Sequence, residues 1–181
     1  YDENISDIDG NTSSFNEDQL RLYTSAYLNN RTYVSLDLTA GDKIDYSNDR
    51  LGDLIQVTGN ISVFITDHLE FDFYQTYSKL DAKDKGMDIN VYVANISELR
   101  ISYQFDVRSY LKLSLVYNDI DYGGSEQIKD LSSQLIYAYK INPQTVFFLG
   151  YSDYSEQDYN LTSLKRSEKT FFTKISYAWA P

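Results

Sequence analysis

The chain has no cysteine in 181 residues, which removes disulfides, thiolate metal sites and cysteine nucleophiles together. It has a single histidine, His68, too few for an imidazole-built metal centre. Two prolines and eight glycines argue against collagen-like or low-complexity disorder. No run of 18 apolar residues occurs, so no helix of this chain spans a bilayer. Positive charge is scarce: 16 Lys and Arg face 27 Asp and Glu, giving a net charge of −11. A nucleic-acid duplex would be repelled by that balance. Neither a Gly-rich phosphate loop nor a Gly-x-Ser-x-Gly elbow is present. Residues 1–11 are acidic and polar, unlike a secretory leader.

What the chain has in abundance is tyrosine, 18 residues beside 9 Phe. Tyrosine favours strands, and its amphipathic ring suits a boundary between lipid and water. Reading for a period of two predicts strands at 19–29, 32–41, 51–65, 68–79, 88–105, 108–120, 129–141, 144–154 and 169–179. In each, one parity is apolar and the other polar. Leu69, Phe71, Phe73 and Tyr77 alternate with His68, Glu70, Asp72 and Thr76. Leu111, Leu113, Leu115 and Tyr117 alternate with Lys112, Ser114 and Asn118. The stretch 145–151 is apolar on both sides and is the least regular.

The connections alternate as well. Short turns are expected at 29–31, 66–67, 106–108 and 141–143, and long polar loops at 42–50, 80–87, 121–129 and 155–168. Short turns on one side and longer loops on the other describe an outer-membrane barrel, with the turns periplasmic. The expected fold is therefore all-β: an antiparallel up-and-down transmembrane β-barrel with about nine strands visible over residues 19–181. Residues 1–18 then read as an external loop or a truncated N-terminal segment. A single-chain barrel of this type has an even number of strands. The odd count suggests that the chain is the C-terminal part of a larger barrel, or that residues 1–10 supply a poor tenth strand. The missing apolar alternation over 1–14 favours the first.

A soluble antiparallel sandwich also alternates, but its strands usually span five or six residues rather than ten or more. In that alternative, Tyr151, Tyr154 and Tyr159 would be sugar platforms of a carbohydrate-binding domain. In a second alternative, an outer-membrane hydrolase, Asp72 and Glu98 would form a carboxylate pair in the lumen.

Three stretches carry a resemblance: ISYQFDVRSYL at 101–111, YKINPQTVFFLGYSD at 139–153, and FFTKISYAW at 171–179. Together they resemble the C-terminal barrel of a family of Gram-negative envelope proteins of unknown function. Members carry an N-terminal domain like the family 9 carbohydrate-binding modules. The likeness covers roughly residues 30–181. It implies a barrel serving as membrane anchor or pore for a larger envelope protein linked to glycan binding or uptake, and it carries over no catalytic residue. This chain departs from the usual aromatic ending, because Ala180 and Pro181 follow Trp179.

With the apolar parity facing lipid, Glu70, Asp72, Glu98, Arg100, Lys112, Lys140 and Lys174 are expected to form an ion ladder on the lumen side. Tyr103, Phe105, Tyr137, Tyr139, Tyr177 and Trp179 are the expected membrane-interface aromatics. Lipid and lipopolysaccharide are the expected partners, with a glycan engaged through a domain outside this chain. The acidic runs Asp2, Glu3, Asp7 and Asp9; Asp42, Asp45 and Asp49; Asp81, Asp84 and Asp88; Asp119, Asp121 and Glu126; and Asp153, Glu156 and Asp158 would crowd one rim. Weak binding of divalent cations there is conceivable from their hard oxygens, although none fits an EF-hand loop. No cofactor is expected, and the location is the bacterial outer membrane.

Overall fold

The structure is a computed structural model that describes residues 2–8, 11–123, 126–157 and 164–178. Asp158, Tyr159 and Trp179 to Pro181 lie outside the described residues. The strands are β1 (Asp2–Ile8), β2 (Asn11–Glu17), β3 (Gln19–Asn29), β4 (Thr32–Asp45), β5 (Arg50–Phe64), β6 (Leu69–Asp84), β7 (Met87–Gln104), β8 (Ser109–Asp121), β9 (Gln127–Asn142), β10 (Thr145–Gln157) and β11 (Lys165–Tyr177). Strands β3 to β11 form one antiparallel meander, each paired with its neighbours in sequence. Strands β1 and β2 form a separate hairpin, and β2 lies against β4 and β5. There is no helix among the described residues.

All nine expected strands are present. Their other ends differ from expectation. The segments read as long polar loops at 42–50 and 80–87 are largely strand. Strands β6 and β7 run on to a two-residue turn, where Lys85 and Gly86 have φ of 50° and 84°. Positive φ at both central residues marks a twisted two-residue hairpin. The ladder needs only backbone groups, so it continues where the apolar parity of β6 reverses and Leu80 and Ala82 take the face that Glu70 and Asp72 hold lower down. Residues 2–17, which lack apolar alternation, pair for the same reason.

Four short connections join the strands at the opposite end, and each is closed by a side-chain acceptor near its start. Arg31 N–H donates to Asn29 Oδ1 at 2.7 Å. Leu69 N–H donates to Thr66 Oγ1 at 3.0 Å. Asp106 Oδ1 accepts from Arg108 N–H at 2.6 Å and Ser109 N–H at 2.9 Å. Gln144 N–H donates to Asn142 Oδ1 at 2.9 Å, beside Pro143. Such local bonds satisfy backbone donors that the ladder leaves free at a turn.

The sheet does not close: β3 and β11 are free edges. All 11 residues of β3 are exposed, and the sheet has almost no interior. Among the described residues the buried apolar side chains are Ile44, Leu54, Leu80, Ala82, Ala94 and Ala138, and no large side chain is fully buried. The accessible surface is 12316 Å². A compact soluble monomer of this mass would expose roughly 9,000 Å². What interior exists lies mainly in the strand extensions. Leu54 pairs with Leu80 and Gly52 with Ala82, and a Cβ added at Gly52 would stand 3.0 Å from Leu80 Cδ1.

Candidate functional site: the two faces of the sheet

Both faces of the sheet are open, and they differ in chemistry. Leu20, Leu22, Ile55, Ile61, Tyr103, Leu135, Tyr151, Phe171, Ile175 and Tyr177 are exposed, and the ladder register puts all of them on one face. Leu20 is 77% exposed and Phe171 67%. Monomeric soluble proteins rarely leave so much contiguous apolar surface in water.

The apolar stretch does not stay on the same rows of the ladder. The row of Leu20 runs through Ala40, Ile55, Lys79, Val93, Asp121 and Gln127, starting apolar and ending polar. The row of Ser109 runs through Tyr139, Phe147 and Ile175, starting polar and ending apolar. Apolar residues thus occupy 20–28 on β3, 69–77 on β6, 111–117 on β8 and 171–177 on β11. The band centre moves along the strands by about seven residues in eight strand-to-strand steps. With ~3.3 Å per residue and ~4.8 Å between strands, the band is inclined roughly 30° to the ladder rows. On β6 it stands about 25 Å tall along its own normal.

Aromatic rings edge the band on both sides. Towards the short turns lie Tyr103, Phe105, Tyr137, Tyr139 and Tyr177. Phe105 stacks edge-on against Tyr103 at 4.9 Å and against Tyr137 at 6.3 Å. Trp179, assigned to the same edge, lies outside the described residues. Sequence reading missed the other edge, formed by Tyr77, Tyr117, Tyr151 and Phe171. The signal available was the last apolar residue of each strand before its polar extension.

On the polar face, the expected ladder divides in two. On β6 and β7 the charges have partners. Arg100 donates to Glu98 at 2.6 Å and lies over the Tyr74 ring at 5.5 Å. Ser62 Oγ donates to Asp72, and Asp72 faces Arg100 in register. Glu70 shares a row with Ser102 and Lys112. Lys112, Lys140 and Lys174 make no ion pair among the described residues. Asp72 and Glu98 are thus engaged with Ser62 and Arg100 respectively. A further pair, Arg21 with Asp37, joins β3 to β4.

The rim carboxylates also take protein donors. Arg50 and Asn48 donate to Asp45 at 2.9 and 2.8 Å. Asn90 donates to Asp81 at 2.8 Å, and Lys79 pairs with Asp81. The hydrogen bond from Lys79, then that from Asn90, holds the Asp81 carboxyl below its usual range. No group of three His, Asp or Glu side chains among the described residues converges on a metal position. His68 lies in the 65–68 turn, its carbonyl accepting from Gln104 N–H at 2.8 Å.

No protein-family model matches this chain, and neither a curated protein nor a solved structure does.

Proposed function

We propose that this sheet is part of the wall of an outer-membrane β-barrel, acting without an enzymatic step as the membrane anchor or pore of a larger envelope assembly. The inclined apolar band carries the reading. Barrel strands tilt about 35–45° from the membrane normal, so a horizontal slab of hydrocarbon must cut successive strands at shifting register. A soluble sheet covered by a second layer has no such requirement. The aromatic edges and the missing interior support the same reading. Lipid and lipopolysaccharide would cover the apolar face, and the polar face would line a wet lumen. A role in glycan binding or uptake follows from the resemblance alone.

Strands β3 and β11 run in the same direction. A wall closed by antiparallel pairing alone therefore requires an odd number of further strands between them. Free edges of this length are templates for pairing with another strand. Two copies of this sheet inserted the same way up and joined β3 to β11 would instead have parallel seams.

The test is extraction and heat modifiability. The protein should stay with the membrane in carbonate and in urea, and migrate differently on gels before and after boiling. Quantitative release into carbonate as a monodisperse soluble monomer would overturn the reading.

A further inference from the structure

We propose that the polar face of β8 to β11, at its short-turn end, binds an organic anion with an apolar body, such as an aromatic carboxylate. The proposal rests on the barrel reading, which makes this face a lumen wall.

Three lysines occupy successive ladder rows here. Lys112 shares its row with Ile136, Gly150 and Phe172. Lys174 shares the next with Phe148, Ala138 and Tyr110. Lys140 shares the third with Val146 and Ser176. Lys140 and Lys174 are exposed, and Lys112 is partly so. None has a carboxylate within 4 Å among the described residues. The carboxylates on the same face of these strands are elsewhere. Glu168 shares a row with Tyr154, and Asp130 and Glu156 share the row of Asn118. Those rows lie two and three steps away from Lys112, or about 13 and 20 Å. Across Ser102, the nearest carboxylate in the row of Lys112 is Glu70, two strands away.

What lies between the lysines is apolar. The Phe172 ring covers Gly150 so closely that an added Cβ would sit 2.2 Å from its Cζ. Phe148 and Val146 extend the surface, and Ala138 is buried beneath it. This accounts for the stretch that is apolar on both parities: Phe147 and Leu149 belong to the band, whereas Val146 and Phe148 belong to the lysine patch. Cations on an apolar floor suit a ligand with a charged head and a flat body, because ammonium–carboxylate bonds gain strength as water is displaced. A small hydrophilic anion would use the lysines and leave the floor wet.

The experiment is ligand-observed NMR on the full chain reconstituted in lipid, using benzoate, acetate and benzylammonium as probes. Benzoate should bind, acetate should bind more weakly, and benzylammonium should give no signal above empty vesicles. The triple variant K112Q/K140Q/K174Q should bind benzoate about tenfold more weakly. F148A/F172A should reduce benzoate binding towards the acetate level while leaving acetate unchanged. Heat modifiability of each variant reports whether it is inserted. If the inserted triple variant keeps full benzoate affinity, or benzylammonium binds as well as benzoate, the proposal falls and the barrel reading survives. If carbonate releases the protein from its native membrane as a monodisperse soluble monomer, the barrel reading falls with it. If an amine-acylating reagent fails to reach all three lysines in the native membrane, a protein segment covers the patch and the proposal also falls.

Discussion

Strand β6 contains two proteins' worth of logic on either side of Lys79. From Leu69 to Tyr77 the apolar parity lies on the band face, and every residue is half-buried. From Leu80 to Asp84 the order is the familiar one: Leu80 is 2% exposed and Ala82 4%, and the charges Lys79, Asp81 and Lys83 face outward or pair. The same antiparallel ladder runs through both. Backbone pairing therefore does not determine which face is apolar. On the barrel reading proposed above, the short segment above the band is packed like a small soluble β-protein and the long segment within it is a wall.

The largest effect should come from charging the band. Leu113→Arg, in the middle of β8, should cost about 2–4 kcal/mol in a bilayer, whereas its sequence neighbour Ser114→Arg should be nearly neutral. Refolding titrations into lipid vesicles measure both. Equal costs would dissolve the distinction between the faces.

Next comes the extension. Leu80→Ala should cost about 2–3 kcal/mol by leaving a cavity beside Leu54 and Gly52. Its signature differs from that of the band: the loss should appear as hydrogen exchange and protease cutting confined to the β4–β5 and β6–β7 ends, with membrane insertion unchanged. Loss of insertion would mean that the extension and the band are one cooperative unit.

The smallest effect belongs to the turns. The backbone N–H of Arg108, followed by the Ser109 contacts, holds the Asp106 carboxyl below its usual range. Its contribution is therefore complete above the unfolded value near ~4 and fades as pH falls through the lower folded value. Asp106→Asn should flatten that acid limb and leave stability at neutral pH little changed, as read by urea midpoints against pH.

The band was legible in the sequence because period two needs only neighbours. Val91, Val93, Leu99, Ile101 and Tyr103 announce β7 without any knowledge of β8. The turns were legible for a similar reason, since Asp106 and Asn142 act on residues two or three positions away. The β6 extension was not, because the alternation changes parity there: Leu80 and Ala82 take the face that Glu70 and Asp72 hold lower on the strand, and Asp81 and Lys83 take the other. Only the pairing partner makes it a strand. The polar face was half legible. Parity put Glu98, Arg100, Lys112, Lys140 and Lys174 on one side, but pairing depends on register across strands. Arg100 reaches Glu98 two positions back on its own strand, whereas register brings Tyr74 beside them and leaves the lysines among Phe148 and Phe172.

The central claim is that neighbouring residues on one strand meet different media. The most direct measurement is a cysteine scan of 111–118 in this cysteine-free chain, labelled with a fluorophore and quenched in turn by a lipid-dissolved and a water-dissolved agent. Positions 111, 113, 115 and 117 should respond to the lipid quencher, and 112, 114, 116 and 118 to the aqueous one. A scan in which the odd positions are shielded from both quenchers, as in the interior of a two-layered soluble protein, would contradict the account.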